Sequence, residues 1–173
     1  MAEVLLSETG KRYHGFAHAV DVSCKTLAVA GGLTLTGMAL MSLWSIVGRS
    51  FFESPLLGDY EMVQMCSAVA IAMTLPYAHW IGANVIVDFF TSHAKPKTNA
   101  VMDLIANVIM AVFSAVITWR IVVGMVDLRG SMDATMMLGL PTWWAYVPMI
   151  PSFALLTVTA LYAANEQLGK LRA

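Results

Sequence analysis

Residues 26–48 read TLAVAGGLTLTGMALMSLWSIVG, and these 23 residues contain no charged side chain. Three further stretches of this kind follow, at residues 62–87, 104–126 and about 142–165, and only Arg120 interrupts them. A bilayer core of about 30 Å requires about 20 helical residues, because each residue of an α-helix advances by about 1.5 Å. The pattern therefore predicts an all-α integral membrane protein with four transmembrane helices.

The composition agrees with a chain that lies mostly in lipid. Hydrophobic residues make up 58 % of the sequence and charged residues 12 %, whereas a soluble domain carries about 25 % charged residues. The net charge of −1 excludes a polybasic nucleic-acid-binding protein. We expect a single membrane domain over residues 1–173, composed of an N-terminal cytoplasmic or interfacial segment at 1–25, spans at about 26–48, 61–82, 101–125 and 142–164, and an inner interfacial connector at 83–99.

The segment before the first span admits two interpretations. From residue 13 into the start of the span, Phe16, Val20 and Leu27 recur at nearly helical spacing, and the charged residues Asp21 and Lys25 lie between Val20 and Leu27. The segment is either an amphipathic helix lying along the cytoplasmic leaflet or a soluble extension of the first span.

The distribution of basic residues predicts that both termini face the cytoplasm. Cytoplasmic loops of membrane proteins carry an excess of Lys and Arg. With the N-terminus inside, seven basic residues fall on the inner side and three on the outer side. The inner set is Lys11, Arg12, Lys25, Lys95, Lys97, Lys170 and Arg172, and the outer set is Arg49, Arg120 and Arg129.

Small residues and prolines indicate where helices pack. In the first span, Gly32 and Thr36 belong to a run of small residues at four-residue spacing, which allows another helix to approach closely. Pro141, Pro148 and Pro151 crowd the outer end of the fourth span. Proline removes a backbone hydrogen bond, and in lipid the freed carbonyl needs a protein or water partner. We therefore expect this end to be kinked and packed against protein.

The ionisable residues near the spans have ordinary structural interpretations. Arg120 lies near the outer end of the third span, where its guanidinium can extend towards water, and Asp127 is a candidate partner. Asp59 is expected to cap the N-terminus of the second helix. Cys24 and Cys66 lie far apart and are interpreted as small apolar side chains rather than as a metal site or a disulfide.

The order of several short motifs resembles the small membrane subunit (Q type) of tripartite ATP-independent periplasmic, or TRAP, transporters. The resemblance runs from about Ser23 to Ala163. An arginine ends the first span, acidic residues open the second, a short segment ending in aspartate follows it, and an aromatic and proline-rich entry opens the fourth. These motifs are Val47-Gly48-Arg49, Asp59-Tyr60-Glu61, Asn84-Val85-Ile86-Val87-Asp88 (with Asn where the family usually has His) and Leu140-Pro141-Thr142-Trp143-Trp144-Ala145-Tyr146-Val147-Pro148, followed by Pro151.

The resemblance implies a non-enzymatic scaffold, or stator, for a larger moving subunit. That large multi-span subunit carries the substrate and sodium sites, so no cofactor is expected on this chain. A periplasmic binding protein delivers an organic acid, a sodium gradient drives import, and the complex lies in the bacterial inner membrane. Surrounding lipids are further contacts. We assign a periplasmic docking surface to Arg49, Glu53, Arg129 and Asp133, and large-subunit or helix-packing contacts to Gly32, Thr36, Arg120, Trp143, Pro148 and Pro151.

Two alternatives come from other functional classes. One is the membrane anchor of a haem b-type redox complex, which needs two axial ligands in facing spans, whereas His79 is the one histidine that falls within a span. The other is a small autonomous exporter, which needs an acidic residue embedded in the membrane. The first two spans provide no such residue.

Overall fold

The computed structural model describes residues 15–52, 57–83 and 96–172. Within these ranges the chain forms four α-helices and one short 3-10 helix, which confirms the predicted all-α class of membrane protein. The elements, numbered in chain order, are α1 (Phe16–Phe52), α2 (Asp59–Trp80), α3 (Pro96–Ser131), the 3-10 helix (Thr142–Ala145) and α4 (Tyr146–Arg172).

Three helical segments are long and apolar enough to cross a membrane, judged by length and composition. They are Phe16–Phe51 in α1, Thr98–Ser131 in α3 and Thr142–Gly169, which joins the 3-10 helix to α4. The 22 residues of α2 span about 33 Å, which is also long enough. α2 is not among these three segments, and it carries Gln64 and His79 among its small residues.

The outermost helices extend well beyond the predicted spans. α1 has 37 residues and a length of about 55 Å, and α3 has 36 residues. α1 continues without a break from Phe16 into the first span, so the described part of residues 13–25 is a helical continuation of that span. Its placement in water or along the cytoplasmic leaflet stays a prediction. In the connector predicted at 83–99, residues 84–95 lie outside the described ranges, and α3 already begins at Pro96.

The helices pack side by side in the order α1, α2, α4, α3. The main contacts are those of α1 with α2, α2 with α4, and α4 with α3. We call the end that holds the start of α2 the Asp59 end, and the opposite end the Trp80 end. Because α2 and α4 each have a neighbour on both sides, they present less surface outwards than α1 and α3.

Small side chains fill the contacts between neighbouring helices. A Cβ atom added to Gly31 of α1 would lie 3.0 Å from the carbonyl oxygen of Ala70 and 3.1 Å from the Thr74 Cγ2 atom of α2. Small residues permit such close backbone approach, which gives helix pairs in lipid their van der Waals contact. The buried small residues are Ala17, Cys24, Ser45, Ala70, Ala72, Ala111, Ser114, Ser152, Thr159, Ala160 and Ala164.

One interhelical hydrogen bond joins α3 to α4 in the middle of their contact. The Thr157 hydroxyl donates to the Ser114 hydroxyl oxygen at 3.0 Å and also reaches the Phe153 carbonyl of its own helix. Ser114 in turn donates to the Ala111 carbonyl at 3.1 Å. The pair therefore satisfies its polar atoms inside the bundle, as burial away from water requires.

The prolines near the start of α4 differ in their positions. Pro148 lies in the first turn, where a proline removes no intrahelical hydrogen bond, and the kink expected at this end stays a prediction. Pro151 lies inside the helix and is exposed, and the helix continues through it. The Ser152 hydroxyl donates to the Pro148 carbonyl at 2.8 Å. Pro76, which sequence reasoning overlooked, is the proline that packs fully buried, inside α2.

Candidate functional site

At the Asp59 end, a carboxylate ties the end of α1 to the start of α2. The buried Ser45 hydroxyl donates to Asp59 Oδ2 at 2.6 Å, and the Tyr60 N–H donates to Asp59 Oδ1 at 2.7 Å. Arg49 adds an ion pair at 3.9 Å. The hydrogen bond from Ser45, then that from Tyr60 and the charge of Arg49, outweigh partial desolvation and lower the pKa of Asp59.

The N-cap prediction for Asp59 is wrong by one residue. Gly58 is the N-cap of α2, with φ of +79°, and Asp59 is the first helical residue. The side chain of Asp59 is therefore free to bind α1 instead of closing its own helix. A glycine is suited to this position because a positive φ strains any residue that carries a Cβ atom. The Leu138 side chain also occupies the place where a Cβ atom of residue 58 would stand.

A second carboxylate holds the connector between α3 and α4. Glu61 of α2 accepts hydrogen bonds from the backbone N–H groups of Met137, at 2.9 Å, and Leu138, at 3.1 Å. The connector, residues 132–141, is also bonded internally, since Thr135 donates its N–H to the Leu140 carbonyl at 2.9 Å. The Met136 side chain of the connector points outwards and is fully exposed. Glu61 thus positions an exposed apolar loop.

The predicted docking residues that the structure describes all lie at the Asp59 end. Arg49 is paired with Asp59, whereas the Arg129 guanidinium lies 5.5 Å from the ring centroid of Trp143, a cation–π contact. Asp133 is exposed, and its Oδ2 accepts from the Ser131 hydroxyl at 3.2 Å. The fourth predicted residue, Glu53, lies outside the described residues. Docking by this set stays a prediction.

The predicted packing residues divide by exposure. Among the described residues, no atom outside the Gly32 backbone surroundings lies within 4 Å of the place where a Cβ atom of Gly32 would stand, and the close contact with α2 is made by Gly31 instead. Thr36 is exposed and donates to the Gly32 carbonyl at 2.9 Å. Arg120 is exposed, and among the described residues it forms no ion pair with Asp127, so that predicted pairing is wrong. Trp143 and Pro148 are half-buried, and Pro151 is exposed.

At the Trp80 end, a buried aspartate joins three helices. Asp21 of α1 accepts from the Trp80 indole N–H of α2 at 3.0 Å and from the Lys25 ammonium at 2.7 Å. The Trp80 ring packs against Tyr162 of α4, with 5.2 Å between centroids. Sequence reasoning missed this arrangement because Asp21 and Trp80 are 59 residues apart and no spacing rule connects them.

The long apolar surfaces of α1 and α3 have no neighbour among the described residues on much of their circumference. In the most apolar 18-residue windows, 6 % of residues are buried in α1 and 11 % in α3, against 28 % for the segment that includes α4. Among the exposed side chains of α1, one set recurs at helical spacing and forms a stripe along the helix. This α1 stripe consists of Val29, Leu33, Thr36, Leu40, Trp44, Val47 and Phe51.

Comparison with known proteins identifies a family. A family model described as "Tripartite ATP-independent periplasmic transporters, DctQ component" matches residues 38–169, from the middle of α1 to the last turn of α4. Searches of curated proteins and of solved structures returned no match. The matched range contains the contacts of Asp59 with Ser45 and Arg49, the Glu61 contact with the connector, and the half of the α1 stripe nearer the Asp59 end.

Proposed function

The chain belongs to the DctQ component family of tripartite ATP-independent periplasmic transporters, and from this premise we propose that it is the non-catalytic membrane scaffold of such a transporter. The observation that supports a scaffold role is the α1 stripe. A continuous apolar face at helical spacing, which the other described residues leave uncovered, fits contact with the apolar helices of a larger membrane subunit. Thr36, a predicted contact residue, lies in this stripe, and Gly32 lies beside it.

The proposal assigns the moving parts and the ligand sites to other subunits. The large multi-span subunit carries the substrate and sodium sites, and a periplasmic binding protein delivers an organic acid. Asp59 joins α1 to α2 at one end, and Asp21 joins them at the other. A helix pair held at both ends suits a subunit that must stay still while its neighbour moves. Import of the organic acid is driven by the sodium gradient.

Co-purification tests the scaffold assignment. A double variant, Leu40→Ala with Trp44→Ala, removes two large side chains from the α1 stripe, where they are 61 % and 70 % exposed. We expect less of the large membrane subunit to co-purify with tagged chain, whereas the thermal stability of the isolated chain stays unchanged. If the large subunit is retained in full, the α1 stripe is not its contact surface.

Transport in proteoliposomes tests the remaining parts of the assignment. The purified complex, supplied with its binding protein, should take up organic acid when an inward sodium gradient is applied. This chain reconstituted alone should show no uptake. Uptake by the chain alone, or uptake that ignores the sodium gradient, would contradict the proposal.

We also propose that the Asp59 end faces the periplasm and both termini face the cytoplasm of a bacterial inner membrane. Met136→Cys places a thiol at a fully exposed position of the connector, and Cys24→Ser with Cys66→Ser removes the native thiols. A membrane-impermeant maleimide should then label intact spheroplasts. Labelling that requires lysis would reverse the orientation.

The docking prediction needs controls that follow from the contacts at the Asp59 end. Charge reversal at Arg49, Arg129 or Asp133 should weaken salt-sensitive binding of the periplasmic protein and slow uptake. Because Arg49 is paired with Asp59, Arg49→Gln serves as its neutral control, which separates the sign of the charge from the loss of the ion pair. Unchanged uptake in all the reversals, Glu53 included, would refute this surface.

A further inference from the structure

A cleft of about 700 Å³ opens at the Asp59 end, between α2, the 132–141 connector and the start of α4. Its volume falls in the range of small-molecule binding pockets. From α2 it is lined by Tyr60, Gln64 and Ala68, all exposed, so the cleft is open sideways along this helix. Ile121 of α3 and Met149 of α4 close the far side.

The lining changes from polar to apolar with depth along α2. At the mouth lie Tyr60, Glu61 and Gln64, and one to two turns further the lining becomes Met65 and Ala68. A ligand that matches this gradient has a polar head at the end of the bundle and an apolar body directed into the membrane. Aromatic side chains such as Tyr60 are typical of the level at which lipid headgroups lie.

The charge at the mouth of the cleft is negative. Glu61 is the charged residue among the described residues that line the cleft. Its hydrogen-bond donors are the backbone N–H groups of Met137, Leu138 and Met136 and the Thr135 hydroxyl. All of them are neutral, so they hold the carboxylate in place without cancelling its charge. Within the described part of the chain, no cation lies within ion-pair distance of Glu61. The mouth therefore favours a cationic head and repels an organic acid.

An exposed apolar track continues from the cleft along the same face of α2. Ala68, Ile71 and Leu75 are exposed and follow Gln64 at spacings of three and four residues, which places them on one side of the helix. From Gln64 to Leu75 the helix rises by about 16 Å. That distance is close to half of the bilayer core of about 30 Å, which is the depth of one leaflet.

We propose that this cleft binds one membrane phospholipid whose headgroup carries a primary ammonium, as in phosphatidylethanolamine. The ammonium faces Glu61, and an acyl chain lies along the Ala68–Leu75 track. The site depends on the chain lying in a bilayer and not on which subunit it supports. Its test on the isolated full-length chain is therefore independent of the scaffold proposal.

Native mass spectrometry of the full-length chain tests the site. The chain is purified in mild detergent, depleted of lipid, and titrated with dioleoyl-phosphatidylethanolamine or with dioleoyl-phosphatidylglycerol, which shares the chains but lacks the ammonium. We expect a one-to-one adduct with about tenfold preference for the ethanolamine lipid, as a charge-assisted contact provides. Glu61→Gln should remove the preference.

Two tryptophan variants separate occupation of the cleft from general lipid binding. Ala68→Trp fills the cleft from an exposed position, and Ala115→Trp makes the same change at an exposed position of α3 outside the cleft. We expect Ala68→Trp to weaken the ethanolamine adduct by about tenfold and Ala115→Trp to leave it unchanged. This comparison leaves Glu61 and the connector untouched.

Three results would overturn the inference. The first is equal binding of the two lipids by the unmodified chain. The second is an ethanolamine adduct that Ala68→Trp leaves intact. The third is loss of the large subunit from the Ala68→Trp complex while the lipid adduct of the isolated chain persists, because the cleft would then hold a helix of that subunit.

Discussion

Two adjacent glycines of α1 provide a matched pair for measuring how tightly α1 and α2 pack. Gly31 lies against α2, where an added Cβ would stand 3.0 Å from the Ala70 oxygen and 3.2 Å from the Met73 Cβ. Gly32 has no neighbour within 4 Å of the same position. We predict that Gly31→Ala destabilises the chain relative to Gly32→Ala.

The magnitude follows from two opposing terms. Replacing glycine by alanine inside a helix gains about 0.8–1 kcal/mol of helix propensity, and this gain is common to both variants. At Gly31 the new methyl group meets the Ala70 backbone oxygen, which cannot rotate away, so the helices must separate by a few tenths of an ångström. Overpacking of this kind costs about 1–3 kcal/mol. The difference between the two variants should therefore be about 1–3 kcal/mol, with Gly32→Ala at or above the stability of the unmodified chain.

Denaturation of the full-length chain in detergent micelles, followed by tryptophan fluorescence, measures both variants under identical conditions. Comparison within the pair cancels the effect of the detergent and the shared change in helix propensity. Equal stability of the two variants would refute the reasoning, because it would show that α1 and α2 are not in close contact at Gly31. A lower stability of Gly32→Ala would show that α1 is rotated relative to its position here.

Three further predictions concern the polar contacts. Gly58→Ala combines a positive φ with a steric overlap on Leu138, so it should cost about 1–3 kcal/mol of unfolding free energy in the same micelle assay. Adding Leu138→Ala should restore part of this loss. If it restores nothing, the overlap with Leu138 does not cause the loss. The lowered pKa of Asp59 means that its contribution to stability is complete above the ordinary pKa of an aspartate and is lost as the pH falls through the lowered pKa of the folded protein. Asp59→Asn should reduce the loss of unfolding free energy that is measured as the pH falls. If the loss is the same in the variant, other groups cause the pH dependence. Trp80→Phe removes the indole donor to buried Asp21 and should lower the free energy of unfolding by about 1–3 kcal/mol. In an Asp21→Asn background the same change should cost less. Equal costs in the two backgrounds would show that the hydrogen bond between the two side chains does not contribute to stability.

The carboxylates at the Asp59 end illustrate how far sequence reasoning reached. The acidic opening of the second helix was recognised, and Glu61 does lie in its first turn. The partners of these groups were not recognised. Asp59 binds Ser45, 14 residues earlier, and Glu61 binds the Met137 amide, 76 residues later. Such pairs depend on where the helices meet, and local patterns carry no information about that.

The predicted interaction surfaces show the same limit. The spacing of Gly32 and Thr36 indicated a packing face on the first span, yet the glycine in contact with α2 is Gly31. Consecutive residues of a helix point about 100° apart, so the rotation of α1 about its axis decides between them. The predicted partner of Arg120 was chosen by position along the helix, and the structure does not pair the two side chains.

The sequence by itself determined that this chain is a helical membrane protein. This was possible because a helix in lipid must satisfy its own backbone hydrogen bonds and match the bilayer with apolar side chains, and both conditions are local. Only the tertiary structure decided the order α1, α2, α4, α3, the contact at Gly31, and the cleft beside Glu61. These features depend on the rotation and mutual placement of helices distant in sequence, which the polarity of their side chains leaves open.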